Sequence, residues 1–140
     1  MIKRELYMKR IRPFIGLDLI KVITGIHRCG KSVMLELIKQ ELIESGVNPT
    51  QFISINFEDS SYSHLQTAQS LHDEITCRAK EIGSKVYLFF DEIQEVKDWE
   101  KCINSFRVSL DCDIYITGSN AKLLSGELAT YLGGRYVEFV

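Results

Sequence analysis

Short apolar runs alternate along the chain with longer stretches in which apolar residues recur every three or four positions. The short runs predict five strands, at residues 19–24, 51–56, 86–90, 114–117 and 136–140. The longer stretches predict helices at residues 2–15, 31–45, 64–82, 99–110 and 121–132. Strands that alternate with helices indicate an α/β fold with a mostly parallel sheet and right-handed crossovers. The continuous run VYLFF at 86–90 is typical of a strand that is buried on both faces.

Proline, glycine and aspartate mark where several of these helices begin or end. Pro13 predicts a break or kink in the first helix. Gly46 predicts the end of the helix that starts near residue 31, and Gly83 the end of the next one. Asp98 is expected to cap a helix whose apolar stripe consists of Trp99, Cys102, Ile103, Phe106 and Leu110. We interpret Trp99 as a core residue, and in the first helix we expect one apolar face made of Tyr7, Ile11, Phe14 and Ile15.

The composition, 45% apolar and 26% charged among 140 residues, is that of a single soluble domain with one core. A formal net charge of −2 argues neither for nor against a nucleic-acid partner. Because no apolar run approaches the length of a membrane span and the N-terminus lacks a secretory signal, we expect a cytoplasmic protein. The basic residues of the first helix are interpreted as a solvated face. They are Lys3, Arg4, Lys9, Arg10 and Arg12.

The four cysteines form no CxxC pair, so neither a zinc site nor a disulfide framework is expected. Cys77, Cys102 and Cys112 are interpreted as small buried apolar residues. Cys29 is different, because it lies just before a predicted helix in a segment of special chemistry, where a thiol is accessible and reactive.

That segment, GIHRCGKS at 25–32, matches the pattern G-x-x-x-x-G-K-[ST] in full and lies between a predicted strand and a predicted helix. Glycines let backbone N–H groups surround phosphates, and the following helix directs its positive end at them. Lys31 is expected to be an exposed charge aimed at the β/γ-phosphates, with the Ser32 hydroxyl on Mg²⁺. The predicted nucleotide-binding residues are Gly25, Ile26, His27, Arg28, Cys29, Gly30, Lys31, Ser32 and Val33.

The buried strand at 86–90 runs directly into Asp91 and Glu92. A hydrophobic strand followed by an acidic pair is expected opposite the phosphate loop. Asp91 would bind Mg²⁺ through water, and Glu92 would polarise the attacking water. An acidic turn after a buried strand is the alternative interpretation.

Three further positions are candidates for the same site. Ser119 and Asn120 follow the strand at 114–117, where they serve as a γ-phosphate sensor, as a helix N-cap, or as both. Asn56, at the end of another strand, is a candidate contact of Glu92, or simply a strand end. Arg135 follows two glycines, where it either reaches the γ-phosphate of a neighbouring subunit or forms a structural ion pair.

Four segments carry a more specific pattern that covers essentially the whole chain: GIHRCGKSVML, LFFDEIQEVKDWE, ITGSNAKLLSGELATYLGGR and YVEF. Together they resemble a large bacterial and archaeal group of AAA-type P-loop ATPases. The resemblance implies a three-layer sandwich whose parallel five-stranded sheet has the order 5-1-4-3-2. It also implies a catalytic Glu92, Ser119 and Asn120 as sensor, and Arg135 as arginine finger. His27 departs from the family, in which arginine is commoner there.

Members of this group are usually longer, with a helical lid or winged-helix region and often a nuclease-like C-terminal domain. We therefore expect residues 1–140 to be the ATP-binding core of a longer protein. The expected function is to bind Mg-ATP and to hydrolyse it to ADP and phosphate, which drives a conformational change.

Other nucleotide-binding classes fit less well. No Asn-Lys-x-Asp guanine signature is present, and the LSG triplet at 124–126 follows the acidic strand, whereas the ABC transporter signature precedes it. Two alternatives stay open: a helicase-type motor on nucleic acid, and a nucleotide-gated switch with little turnover. ATP is the expected ligand, and a homo-oligomer is expected to form through Arg135. Nucleic acid stays open as a partner, and no membrane partner is expected.

Overall fold

A computed structural model describes residues 2–24, 28–119 and 136–139. Its strands are β1 (Ile20–Ile23), β2 (Phe52–Asn56), β3 (Val86–Asp91), β4 (Cys112–Thr117) and β5 (Tyr136–Phe139). Its α-helices are α1 (Ile2–Ile11), α2 (Arg28–Glu44), α3 (Ala68–Ile82) and α4 (Trp99–Ser109). Short 3₁₀ helices lie at Arg12–Phe14, Pro49–Gln51, Ser60–Leu65 and Ile93–Glu95. The helix predicted at 121–132 lies outside the described residues.

The five strands form one sheet in the order β2-β3-β4-β1-β5, and every neighbouring pair is parallel. Read from the other edge, this is the order 5-1-4-3-2, so the expected topology is confirmed. Because all strands run in the same direction, their carboxyl ends meet at one edge. The chain leaves that edge after Ile23 of β1, after Asp91 of β3 and after Thr117 of β4.

The helices cover both faces of the sheet, so the predicted three-layer sandwich is confirmed. Alternate residues of β3 point to opposite faces: Leu88 and Phe90 pack on the side of α3 and α4, and Phe89 packs on the side of α1 and α2. The predicted stripe of α4 is buried or partly buried in the first of these layers, with Trp99 only 4% exposed. None of the helices in the described part of the chain combines the length and apolarity that a bilayer crossing requires.

The first helix ends at Ile11, and a 3₁₀ turn containing Pro13 follows, as the proline predicts. Met8 and Ile11 are the residues through which α1 is most deeply buried. Arg12 makes a bidentate ion pair with Glu41 of α2, in which two guanidinium nitrogens donate to the two carboxylate oxygens at 2.8 and 3.1 Å. The hydrogen bonds to this carboxylate raise the pKa of Arg12. Arg12 is therefore partly exposed, as a solvated face requires, and in addition joins the end of α1 to α2 through this ion pair.

Two predicted helix starts need correction. The helix predicted at 64–82 begins at Ala68, because the Thr67 hydroxyl accepts a hydrogen bond from the backbone N–H of Ser70 and so caps α3. The residues before it form a separate 3₁₀ helix. Asp98 occupies the position before α4, but its backbone is left-handed, with φ of 58°, and its side chain makes no capping hydrogen bond. Gly83 ends α3 in the left-handed conformation, as predicted.

The cysteine prediction holds for Cys102, which is buried, and Cys112, which is partly buried, whereas Cys77 is exposed on α3. Burial raises the pKa of the Cys102 and Cys112 thiols to about 12. The apolar positions of α3 face the sheet through Leu71 and Ile75, and Cys77 lies two residues beyond that stripe. The interpretation of Cys77 as a buried residue is therefore wrong.

A buried lysine lies on β1, near the amino edge of the sheet. Lys21 has no solvent exposure, and its ammonium donates hydrogen bonds to the carbonyl oxygens of Leu17 and Leu19, both at 2.8 Å, and to the Asp113 carboxylate. All three of its donors are therefore used. Desolvation lowers the pKa of Lys21, although the adjacent Asp113 favours the charged form.

Asp113 completes this buried network from β4. Its second oxygen accepts hydrogen bonds from the Tyr115 hydroxyl at 2.5 Å and from the backbone N–H of Gly16 at 3.1 Å. Gly16 has a φ of +85°, a conformation that glycine adopts at little cost. The network therefore fastens the segment between α1 and β1 to the start of the sheet.

Asp113→Asn is expected to lower the free energy of unfolding by about 3–5 kcal/mol, because it leaves the Lys21 ammonium buried without a counter-charge. Urea denaturation measures the loss. Asp18→Asn is the matched control, since it breaks a 3.3 Å pair with Arg107 in which the aspartate side chain is 75% exposed. The control should cost less than about 1 kcal/mol. Equal losses in the two variants would contradict the assignment.

Candidate functional site

The predicted phosphate loop leads into the positive end of a long helix. α2 starts at Arg28, so Gly30, Lys31 and Ser32 lie within its first five residues. These three residues therefore lie at the N-terminal end of α2, where the helix dipole is positive. Gly25, Ile26 and His27 lie outside the described residues, as do the side chains of Arg28 and Cys29.

Asp91 joins α2 to two strands at the carboxyl edge of the sheet. One carboxylate oxygen accepts a hydrogen bond from the Ser32 hydroxyl at 2.5 Å, and the other accepts one from the Thr117 hydroxyl. Asp91 is buried, so these contacts replace water on both of its oxygens. Ser32 and Asp91 thus meet side by side, as predicted for the residues assigned to the metal.

Lys31 is buried, only 6% exposed, and points at the neighbouring acidic residue. Its ammonium lies 3.2 Å from the Glu92 carboxylate and donates to the carbonyl oxygen of Gly118, also at 3.2 Å. The expectation that Lys31 is an exposed charge is therefore wrong. The reason is that the start of α2 packs against the ends of β3 and β4, where an acceptor and a counter-charge are both available.

Glu92 is held in an unusual backbone conformation immediately after β3. Its φ and ψ are 57° and 52°, in the left-handed region that disfavours L-residues with side chains. The backbone N–H of Glu92 donates to the Thr117 hydroxyl at 3.0 Å, and one carboxylate oxygen accepts from Gln94 at 2.7 Å. Such strained conformations concentrate at functional sites.

The oxygen chemistry at the end of β3 fits a magnesium ion. Mg²⁺ prefers hard oxygen ligands and is usually held by one or two protein groups together with substrate phosphates. Ser32 and Asp91 supply two adjacent oxygens of this kind. Within the described ranges, no three His, Cys, Asp or Glu side chains gather into a cage that could bind a metal without further ligands.

The remaining predicted positions have mixed outcomes. Ser119 lies directly after Gly118, whose carbonyl contacts Lys31, and Val33 follows Ser32 on α2 with its side chain half-buried. Asn120 and Arg135 lie outside the described residues. The Asn56 side chain is exposed and accepts a hydrogen bond from the backbone N–H of Glu58. The expected contact between Asn56 and Glu92 is not formed, because the Asn56 amide folds back on its own turn.

Two residues make contacts in this site that the sequence does not predict. Thr117 bridges Asp91 and Glu92 through a single hydroxyl, which donates to the first and accepts from the second. Its signal was its place as the last residue of a predicted strand, beside the acidic pair. Gln94 contacts Glu92 from two residues further along the chain, and its signal was the amide within the DEIQ segment.

A family model described as an AAA domain matches residues 18–140. The chain belongs to the AAA domain family. An uncharacterized protein from Haemophilus influenzae is 45% identical to this AAA domain over 138 residues, which are 99% of the chain and 34% of that protein. An uncharacterized protein from Methanocaldococcus jannaschii is 39% identical over 117 residues, 83% of this chain and 24% of that protein. The chain thus spans about a third of the length of the first relative and about a quarter of the length of the second.

Solved structures share the architecture of this AAA domain at low sequence identity. PCH-2 from C. elegans superimposes with a TM-score of 0.57 at 17% identity, covering 91% of this chain and 37% of that one. A DNA replication initiation factor superimposes with a TM-score of 0.55 at 18% identity, covering 96% of this chain and 44% of that one. These likenesses show a common fold, which agrees with the expected AAA-type α/β architecture.

Cys29 should be alkylated in the nucleotide-free protein and protected by Mg-ATP, because it lies within the predicted phosphate loop. Cys77 is a built-in control. It is exposed on α3, and its hydrogen bond to Glu81 raises the pKa of its thiol, so its slower labelling should not depend on nucleotide. Mass spectrometry after brief alkylation measures both sites. Equal labelling of Cys29 with and without nucleotide would place it away from the phosphates.

Proposed function

We propose that this AAA domain binds ATP together with Mg²⁺ and hydrolyses it to ADP and phosphate, which drives a conformational change. The observation that carries the proposal is the convergence of Lys31, Asp91 and Glu92 at the carboxyl edge of the sheet, beside the start of α2. This edge is where parallel α/β sheets bind their ligands. The family membership of the chain supports the same conclusion.

In the proposed complex, backbone N–H groups of the loop from Gly25 to Ser32 surround the β- and γ-phosphates at the positive end of α2. Lys31 would leave the Gly118 carbonyl and the Glu92 carboxylate and turn to the phosphate oxygens. Its present partners hold the ammonium near the first turn of α2. To reach the phosphates, Lys31 therefore has to change only the direction of its side chain, and α2 does not have to refold.

Ser32 and Asp91 are the residues proposed to hold Mg²⁺, Asp91 through water. When bound, the ion neutralises charge that develops on the phosphate oxygens. The Thr117 hydroxyl keeps one Asp91 oxygen occupied, so the other oxygen, which contacts Ser32, is the one that would take part in holding the ion. The chain's own contribution here is therefore the orientation of a single carboxylate.

Glu92 is proposed as the general base. Its carboxylate takes a proton from water while the water oxygen forms a bond to the γ-phosphorus. The bond between the γ-phosphorus and the β–γ bridging oxygen breaks, and the electron pair stays on ADP. Once Lys31 has turned to the phosphates, the Glu92 oxygen that faced that lysine is available to the attacking water.

Ser119 and Asn120 are proposed to sense the γ-phosphate from the end of β4. Arg135 is proposed to act on the nucleotide of a neighbouring copy in a homo-oligomer, where an arginine finger is worth about 10³–10⁵-fold in rate. A nucleotide-gated switch with little turnover is the second candidate. It is favoured by the contact between Lys31 and Glu92, in which two groups that catalysis needs are engaged with each other.

Glu92→Gln should slow turnover strongly, to a small residual rate, and strengthen nucleotide binding. Loss of a general base costs about 10²–10⁴-fold in rate. Removal of the charge that competes for Lys31 should tighten binding about fivefold, for a contact worth about 1 kcal/mol. Single-turnover hydrolysis and equilibrium binding of a fluorescent ATP analogue, both with Mg²⁺, measure the two effects.

Two control variants bracket this experiment. Lys31→Ala should lose nucleotide binding, whereas Glu95→Gln changes an exposed carboxylate of the adjacent 3₁₀ helix and should match the wild type. Hydrolysis at the wild-type rate by Glu92→Gln would remove Glu92 from the mechanism. A wild-type protein that binds ATP tightly but does not turn it over would favour the switch.

A further inference from the structure

The Glu92 carboxylate is held from two sides by two different residues. Lys31 lies 3.2 Å from one oxygen, and the side-chain amide nitrogen of Gln94 donates to the other oxygen at 2.7 Å. The orientation of the Gln94 amide follows from chemistry, because an ionised carboxylate only accepts hydrogen bonds and so must face the NH₂ group. The two contacts fix the direction in which the carboxylate points.

Nucleotide binding would remove one of these two contacts. If Lys31 turns to the phosphates, as the proposed function requires, Gln94 is the one described side chain that still holds the Glu92 carboxylate. We propose that Gln94 is the positioning residue of this ATPase, which keeps the Glu92 carboxylate directed at the attacking water after Lys31 has left it. The proposal rests on the proposed function and names a residue that the function itself does not assign.

The backbone around Gln94 is fixed by hydrogen bonds and by two buried neighbours. The 3₁₀ helix Ile93–Glu95 closes on itself through hydrogen bonds from Glu95 N–H to the Glu92 carbonyl at 3.2 Å and from Val96 N–H to the Ile93 carbonyl at 2.9 Å. Ile93 and Val96 are buried in the core on either side of Gln94. The left-handed turn at Glu92 brings this helix back against the end of β3, so the amide of Gln94 reaches the carboxylate two residues earlier.

The other end of the same amide is buried without a partner. The Gln94 carbonyl oxygen is the one buried side-chain oxygen or nitrogen in the described part of the chain that makes no hydrogen bond. Buried acceptors are normally satisfied, because leaving one unpaired costs free energy. A residue that serves packing alone would do better with an apolar side chain of the same size, so the amide is explained by its hydrogen bond to Glu92.

Gln94→Met in the full-length protein tests the proposal, since methionine keeps the length and volume of the side chain but cannot hold the carboxylate. We expect the single-turnover rate of ATP hydrolysis to fall by about 10- to 100-fold, the range typical of a misdirected catalytic group, with nucleotide affinity changed by less than about threefold. Gln69→Met is the matched control. It breaks a similar amide–carboxylate contact, at 2.9 Å to Asp73 on the exposed side of α3, and should leave the rate unchanged.

A double variant separates positioning from a structural role. If Gln94 acts through Glu92, Gln94→Met should cause no further loss in a Glu92→Gln background, whereas independent effects would multiply. If Gln94→Met does not fold, Gln94→Glu replaces it, because it removes the donor with almost no change in shape and should also slow hydrolysis.

The outcomes distinguish this proposal from the proposed function. A wild-type rate in Gln94→Met, with Glu92→Gln inactive, would overturn the role of Gln94 and leave the general base in place. A further loss in the double variant would overturn it as well. A fully active Glu92→Gln would instead overturn the proposed function on which this inference rests.

Discussion

The arrangement of the site depends on how one buried carboxylate is shared. Asp91 accepts one hydrogen bond from Ser32 at the start of α2 and one from Thr117 at the end of β4, while its own backbone belongs to β3. Three elements that are distant in sequence are thereby fastened at a single point. Parallel pairing makes this possible, because the register that sets Phe90 beside Ile116 brings the next residues of both strands to the same edge.

Around that point, each charged group of the site has hydrogen-bond or ion-pair partners. Lys31 is engaged with Glu92 and with a backbone carbonyl, Glu92 with Lys31 and Gln94, and Asp91 with two hydroxyls. Buried charges are tolerated when they are paired in this way. In the proposed function, nucleotide binding exchanges these partners, so the contacts that Lys31 makes with the phosphates must be at least as favourable as those it loses.

The fold could be predicted from the sequence because periodicity reports which faces are buried, and five strands alternating with helices admit few topologies. The order of the strands came from the family resemblance and agrees with the structure. Within the candidate site, the contact of Ser32 with Asp91 agrees with the two motifs that single out these residues, and Glu92 follows Asp91 directly. Helix starts were less accurate, since a single cap such as Thr67 decides where α3 begins.

What could not be predicted were the buried charges. Nothing near Lys21 in the sequence indicates a counter-charge for it, because its partner Asp113 lies 92 residues further along the chain. The burial of Lys31 and the contact of Gln94 with Glu92 likewise depend on side-chain directions, which are set only once the sheet has formed. The opposite error occurred at Cys77, where a residue type that is usually buried lies on the exposed side of its helix.

The left-handed backbone at Glu92 is a local cost that the contacts of its side chain offset. An L-residue in this conformation costs about 1–2 kcal/mol relative to the right-handed form, a penalty that glycine avoids. Glycine at this position would therefore suit the turn but would remove the carboxylate that faces Lys31 and Gln94. It would also leave the buried Lys31 ammonium without its counter-charge, which costs more than the turn would gain. The Glu92 side chain therefore has a structural reason to stay in this turn, in addition to its proposed role.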